Sequence, residues 1–286
     1  MSTPRDTFSD WIGRSETRCD TITPTPWLAL AATLDLAAPD AAAGTPLPPL
    51  AHWLYALPLH RASEIGTDGH AKRGGFLPPI DLPRRMWAGG RFEFHHPLRV
   101  GDGVTRTSTI ENVTSKSGQS GPLVFVTVRH DWQRDGASHA ALSEWHDIVY
   151  RDAPSAGAAA PASRVAPTHS RWSREIVADA VLLFRYSALT FNAHRIHYDL
   201  GYVATVEGYP GLVVHGPLIA TLLVDLLRRE LPEADMATFA FKAVGPLFAT
   251  RPFHLHGVPE ADRRTIRLWA TNPDGGLAME ASATLR

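Results

Sequence analysis

The sequence predicts an α+β fold of two similar units in tandem, each a central helix wrapped by an antiparallel sheet. Three observations carry this. A run of small residues and proline, Asp152-Ala-Pro-Ser-Ala-Gly-Ala-Ala-Ala-Pro-Ala-Ser163, divides the 286 residues nearly in half. Such a run buries little apolar area and has linker chemistry. Each half then has the same order: a helical apolar segment, an irregular stretch, and β-rich runs. Finally, residues 216–231 are apolar on almost every face, so that helix must be enclosed by other structure rather than laid on a surface. The expected boundaries are an N-terminal unit at 1–151, a linker at 152–167 and a C-terminal unit at 168–286.

In the first half, Pro26-Trp-Leu-Ala-Leu-Ala-Ala-Thr-Leu-Asp-Leu36 is the helix expected to match 216–231, with Thr25 as its N-cap. Strands are expected at 90–95, 104–113, 122–133 and 143–150, because residues 118–121 and Asp135-Gly136 are turn material. In the second half, Pro217 sits in the first turn of the long helix and Pro232 follows it. Strands are expected at 238–244, 252–256, 265–270 and 277–284, with Asn272-Pro-Asp-Gly-Gly276 as the last turn. His96-Pro-Leu98 and Gly245-Pro-Leu247, each expected to open a strand, fit a duplication.

Charge and cysteine content narrow the function classes. Lys plus Arg total 28 against 29 for Asp plus Glu, so no net field favours nucleic acid or an anionic membrane. The single Cys19 excludes an intramolecular disulfide and fits a reducing compartment. The first ten residues have neither a basic nor an apolar leader region, and no run of about 18 apolar residues occurs. A cytoplasmic protein acting on a small molecule is expected.

Of the 14 histidines, two local groups stand out. One is Phe191-Asn-Ala-His-Arg-Ile-His-Tyr-Asp199, which crowds proton donors and acceptors after an apolar run. The other is Tyr209-Pro-Gly-Leu-Val-Val-His-Gly-Pro217, which leads into the enclosed helix. A helix start presents unpaired N–H groups and the positive dipole end, suited to a carbonyl or a developing oxyanion. The pairs His254/His256 and His95-His96 look like metal ligands, but alternate strand residues share a face without any metal, and neither pair has a third partner nearby. The glycines at 74–75 and 89–90 lack the strand-to-helix setting of a nucleotide loop.

Tyr186-Ser-Ala-Leu-Thr-Phe-Asn-Ala-His-Arg-Ile-His-Tyr-Asp199 and Glu207-Gly-Tyr-Pro-Gly-Leu-Val-Val-His-Gly-Pro-Leu218 resemble the hydratase motif of the MaoC-like, R-specific enoyl-thioester hydratases and dehydratases. Leu82-Pro-Arg-Arg-Met-Trp-Ala-Gly-Gly-Arg91 with His96-Pro-Leu-Arg-Val-Gly-Asp102 is similar to the first repeat of the two-repeat subgroup, which includes mesaconyl-CoA and itaconyl-CoA hydratases and 3-hydroxyacyl-thioester dehydratases. The resemblance implies a double hot-dog fold, with the first unit lacking the catalytic motif and completing the acyl pocket. It implies reversible hydration of a 2,3-unsaturated acyl-CoA or dehydration of its 3-hydroxy form, the acyl group being short and dicarboxylic, such as mesaconyl or itaconyl. No cofactor is expected beyond coenzyme A within the substrate, and a homodimer is optional because one chain already pairs two units.

The family motif supplies an aspartate and, five residues on, a histidine. His197 matches the histidine, but Asn192 stands at the aspartate position and takes no proton near neutral pH. His197 is therefore the expected general acid/base. Asn192 would position the water, and the Gly216 N–H would polarise the thioester carbonyl. His194 and Arg195 are open between a structural role and contact with a substrate carboxylate or coenzyme A phosphate. Tyr198 is a further expected substrate contact. His215 is expected at the substrate end of the helix, capping or packing more than reacting. Arg84-Arg85, near Arg91, are solvated-face residues or phosphate ligands. Asp199 and Glu207 are the carboxylates nearest in sequence to share the proton work. The competing readings are a 3-hydroxyacyl-thioester dehydratase of fatty-acid metabolism, a non-catalytic acyl-CoA-binding module and a thioesterase.

Overall fold

Strands alternate buried and exposed side chains, and on Gly121–Arg134 the buried set is Val124, Val126, Val128 and Trp132. That period of two lays one face of a sheet on the core. The computed structural model describes residues 8–37, 40–118, 121–152 and 163–286. Most of the expected linker, 153–162, and residues 119–120 of an expected turn lie outside the described residues.

Among the described residues, ten strands form one antiparallel sheet: β1 (Ser15–Thr21), β2 (Arg84–Phe94), β3 (Gly103–Gly118), β4 (Gly121–Arg134), β5 (Leu142–Arg151), β6 (Trp172–Ile176), β7 (Met236–Ala243), β8 (Phe253–Pro259), β9 (Thr265–Thr271) and β10 (Leu277–Leu285). Their spatial order is β1-β3-β4-β5-β2-β7-β10-β9-β8-β6. Each half uses the same order from its own outer edge inward, and the halves join through β2 and β7, from Gly89↔Lys242 to Glu93↔Thr238. Gly89 permits that seam, since a Cβ there would lie 2.6 Å from the Phe241 carbonyl oxygen.

The helices are α1 (Pro24–Thr33), α2 (Ala180–Leu189), the single turn α3 (Leu200–Tyr202) and α4 (Gly216–Glu230). Every residue of 218–227 is buried, as the sequence requires of an enclosed helix, and α4 lies against β6, β8, β9 and β10. Its one buried carboxylate, Asp225, is answered by Arg174 at 2.6 Å and Arg229 at 2.8 Å.

The first unit departs from expectation. The helix near residue 26 begins at Pro24 with Thr23, not Thr25, as its cap, and no side chain closes that cap. It follows edge strand β1 as α2 follows edge strand β6, and the two helices pack together. It therefore corresponds to α2 and not to α4. Between α1 and β2 the described residues form only the short 3-10 turns Ala51–Leu54 and Ala62–Glu64. The inner face of β3 to β5 is covered instead by irregular chain that buries Ile80 and Leu82.

The two Pro-Leu repeats follow β2 and β7 rather than opening strands. Their downstream pairings coincide: Leu47 N–H donates to Leu98 O and Val214 N–H to Leu247 O, both at 2.8 Å, with isolated bridges Pro46↔Arg99 and Val213↔Phe248. Pro49 thus occupies the place of Gly216. Leu50 then takes a left-handed conformation, φ 70°, and the chain leaves the helical path.

Candidate active site

Helix α2 is capped by Asp179, whose carboxylate accepts the Leu182 N–H at 2.8 Å. Past its end, Asn192 Oδ1 accepts the His194 N–H at 3.0 Å, a local side-chain turn that redirects the chain into the 3-10 turn Arg195–His197. That turn is tied to the segment entering α4, where Val213 N–H donates to Ile196 O at 2.9 Å. His197 Nδ1 lies 2.8 Å from Val213 O. A carbonyl only accepts, so Nδ1 carries the hydrogen and Nε2 keeps a lone pair.

His215, the residue before α4, is fully buried and stacks on His197 with ring centroids 3.6 Å apart. Its Nε2 lies 2.7 Å from Ser187 Oγ, and its buried Nδ1 has no hydrogen-bond partner among the described residues. Gly216 is the first helical residue, so its N–H has no acceptor within the helix, and a Cβ built there would meet nothing within 4 Å. An incoming carbonyl has a free donor and room to reach it.

The histidines continue into the other unit. His194 meets His197 edge to face at 5.4 Å, and it also meets His70 of the first unit at 3.9 Å. His70 Nδ1 lies 3.0 Å from Asp68 Oδ2, and His70 N–H donates to Asp68 Oδ1 at 2.9 Å. The loop carrying this pair is seated on the motif: Arg195 N–H donates to Asp68 O at 2.9 Å, and its guanidinium donates to Thr67 O at 3.0 Å. Gly69 makes the fit, with φ +90° and a position where a Cβ would lie 1.7 Å from Ala193 O. Asp68, His70 and His194 are metal-binding residue types whose ligand atoms lie within 4.8 Å of one another.

Burial disfavours a charged imidazole throughout this group. It pushes His197 down to about 4, with the hydrogen bond to Val213 opposing and His70 adding. It pushes His194 to about 2, helped by the neighbouring His70 and His197. His215 falls well below its usual value for the same reasons. His70 is lowered by burial too, but the Asp68 carboxylate opposes that shift. Burial acts to raise the Asp68 carboxyl, yet its hydrogen bonds with His70 and the charges of His70 and His194 hold it well below the usual carboxylate range.

The other expected site residues are placed as follows. Arg195 pairs with Asp199 at 2.7 Å and lies over the Tyr202 ring, so its charge is already answered. Asp199 also caps α3, and Glu207 pairs with Arg84 at 3.4 Å and bonds the Tyr202 hydroxyl. The carboxylate that reaches the imidazoles is Asp68, in neither case the sequence neighbour. Tyr198 is exposed and donates to Ala193 O. His254 pairs with Glu175, His256 stacks on Trp269, and His95 lies beside Glu93, all outside this cluster.

A cavity of about 540 Å³ opens on the first-unit side, lined among others by Asp68, His70, Arg73, Arg84, Arg85 and Tyr202. Among the described residues Arg85 has no ion-pair partner, and it lies beside Tyr150. A larger hollow of about 590 Å³ at the β2/β7 seam carries Arg91, Asp147 and Lys242 but no histidine. Sequence reasoning missed Asp68, Gly69 and His70. Their one signal was an Asp-Gly-His loop in the half that lacks the motif.

A family model described as hydroxyacyl-thioester dehydratase type 2 matches residues 50–249. The chain is 48% identical over 277 residues to the mesaconyl-C(4)-CoA hydratase of Chloroflexus aurantiacus, spanning 96% of each. Among solved structures, HtdX of Mycobacterium tuberculosis superposes with TM-score 0.67 at 17% identity, covering 94% of this chain and 99% of that one. A further M. tuberculosis protein described as having a double hotdog fold superposes with TM-score 0.58 at 15% identity, covering 96% of each chain. These two likenesses establish the double hot-dog fold.

Proposed function

The chain belongs to the hydroxyacyl-thioester dehydratase type 2 family, and we propose from this and from its site that it is a hydro-lyase that reversibly adds water across the 2,3-double bond of an acyl-CoA. The observation that carries the reading is His197, with its tautomer set by Val213 O, stacked beside the residue that precedes the open N–H of Gly216. In hydration, the water oxygen bonds the β-carbon while His197 Nε2 takes its proton, and the π pair moves toward the thioester oxygen. The Gly216 N–H and the positive end of α4 stabilise that oxygen, a contribution of roughly 3 kcal/mol for one such donor. Asn192, half-buried with Oδ1 engaged, turns its amide toward orienting the water. Protonation of the α-carbon completes the addition.

A short dicarboxylic acyl group is the substrate we favour. The named activity of the 48% identical relative supports it, as does Arg85, a cation on the cavity wall without an ion-pair partner among the described residues. The family description keeps a 3-hydroxyacyl-thioester dehydratase as the second reading. The scheme draws on no metal or cofactor, and coenzyme A enters within the substrate. The balanced charge and single Cys19 are what support a cytoplasmic location without a nucleic-acid or membrane partner; no described helix is long and apolar enough to cross a membrane. A homodimer is optional, since both halves of the site come from one chain. The test is a panel of crotonyl-, mesaconyl- and itaconyl-CoA followed by loss of enoyl-thioester absorbance. Binding without turnover would leave a binding module, and release of free thiol a thioesterase.

A further inference from the structure

We propose that Asp68 and His70, contributed by the first unit, form the second acid/base pair of the site, exchanging the α-carbon proton of the acyl-thioester. The inference rests on the hydration reading above. That reaction needs a group that delivers a proton to the α-carbon in hydration and removes it in dehydration, and Asn192, at the position of the motif's carboxylate, cannot do so near neutral pH.

Successive ring contacts link four imidazoles, His215 to His197 to His194 to His70, and only the last has a carboxylate partner among the described residues. The ionised Asp68 accepts, so His70 Nδ1 donates and Nε2 keeps the lone pair. His70 lines the cavity, whereas His197 is only 6% exposed, so a ligand in the cavity meets His70 first. The loop is built for this placement by Gly69 and by the two hydrogen bonds from Arg195. The rings of His70 and His194 are tilted by 39° with centroids 3.9 Å apart, and the Asp68 contact at Nδ1 leaves Nε2 as the nitrogen with a lone pair.

In dehydration, His70 Nε2 takes the α-proton, the C–H pair forms the enolate on the thioester oxygen, and that pair expels the β-hydroxyl, which leaves as water with a proton from His197. Hydration is the reverse, with His70 starting protonated. The proton gained by one imidazole and lost by the other is restored through water in the cavity. The charged and titratable groups facing His70 are Asp68, Arg73, Arg85, His194 and His197. Asp68 favours the imidazolium and the two arginines oppose it.

The experiment compares wild type, His70→Gln, Asp68→Asn, Asp68→Glu and His197→Ala in turnover of the acyl-CoA panel and in exchange of the α-proton of saturated acyl-CoAs in deuterated buffer. Expected are loss of α-exchange and a fall in kcat on the order of 10²-fold in His70→Gln, with exchange kept in His197→Ala. Asp68→Asn should fall about 10- to 100-fold, as when a carboxylate orienting a functional histidine is lost, with partial rescue in Asp68→Glu. Because Asp68 raises the His70 value, its removal should move the acid limb of dehydration kcat/KM to lower pH. Wild-type turnover and exchange in a folded His70→Gln, or in Asp68→Asn should His70→Gln not fold, would overturn the dyad alone. Zinc binding by calorimetry that is lost in Asp68→Asn would overturn it in favour of a metal site. No turnover by wild type of any substrate, in either direction, would overturn the hydration reading and the dyad with it.

Discussion

The two units enter their central segments through the same paired hydrogen bonds and then part. In the second, Val214 leads through His215 to Gly216 and a 15-residue helix. In the first, Leu47 leads through Pro48 to Pro49 and one 3-10 turn, Ala51–Leu54. Proline has no N–H, so the position that presents a helix-start N–H in one unit presents none in the other. The lost helix is replaced by a polar cluster. His52 lies 3.1 Å from Glu144, Trp53 donates to the same carboxylate at 3.0 Å, and His130 lies 2.8 Å from Ser108. The difference teaches that one unit kept the long enclosed helix with His215 before it, while the other replaced it with irregular chain and extends a loop, 66–70, that reaches the imidazoles.

The strongest contrast sets His197→Ala against His52→Ala. The former should lower kcat by about 10²- to 10⁴-fold with an unchanged circular dichroism spectrum. Equal loss in the latter would break the division of labour. His52→Ala should instead cost stability, about 3–5 kcal/mol for breaking a buried pair, read by urea denaturation.

The same cluster predicts acid sensitivity. Burial opposes ionisation of Glu144, yet His52 and the other histidines around it hold its carboxyl at about 2, below its usual 4.5. A carboxyl depressed on folding stabilises above 4.5 and loses that contribution as pH falls through 4.5 toward 2. Burial holds His130 at about 4 and His146 at about 3, so the unfolded chain binds more protons below pH 6.5 and stability falls there too. Midpoints of urea unfolding should drop steadily from pH 6.5 to 3. Glu144→Gln should flatten the lowest part of that curve, and an unchanged curve would contradict the burial of the cluster.

Gly69→Ala tests the borrowed loop. Its left-handed φ and the approach to Ala193 O predict a loss of about 1–3 kcal/mol together with reduced kcat, seen by thermal melting and steady-state kinetics. A melting loss without a kinetic one would detach the loop from the chemistry. The mildest pair is arginine at two places. Arg85→Ala should raise KM for a dicarboxylic acyl-CoA roughly tenfold, the worth of one charge-assisted hydrogen bond, and leave crotonyl-CoA little affected. Arg91, paired with Asp147 and 53% exposed, should leave KM unchanged and cost under about 1 kcal/mol when replaced by Ala.

Most of the strands, the enclosed helix and the motif at 192–216 were legible from local pattern, because alternation, an all-round apolar helix and turn residues act within a few positions. The edge strands β1 and β6 were not. Ser15–Thr21 buries none of its side chains, and Trp172–Ile176 buries only its two ends, so neither shows alternation. The helix at Pro24–Thr33 was legible as a helix but not as the partner of α2, since its rank in the unit depends on which strand it follows in space. Nor does sequence distance show that Asp68 lies against a motif more than a hundred residues away. His197 and His215 lie together because turn and cap chemistry joins the two short segments that carry them. The carboxylate that joins them is set by packing of one unit on the other, where a glycine with no Cβ lets two backbones touch.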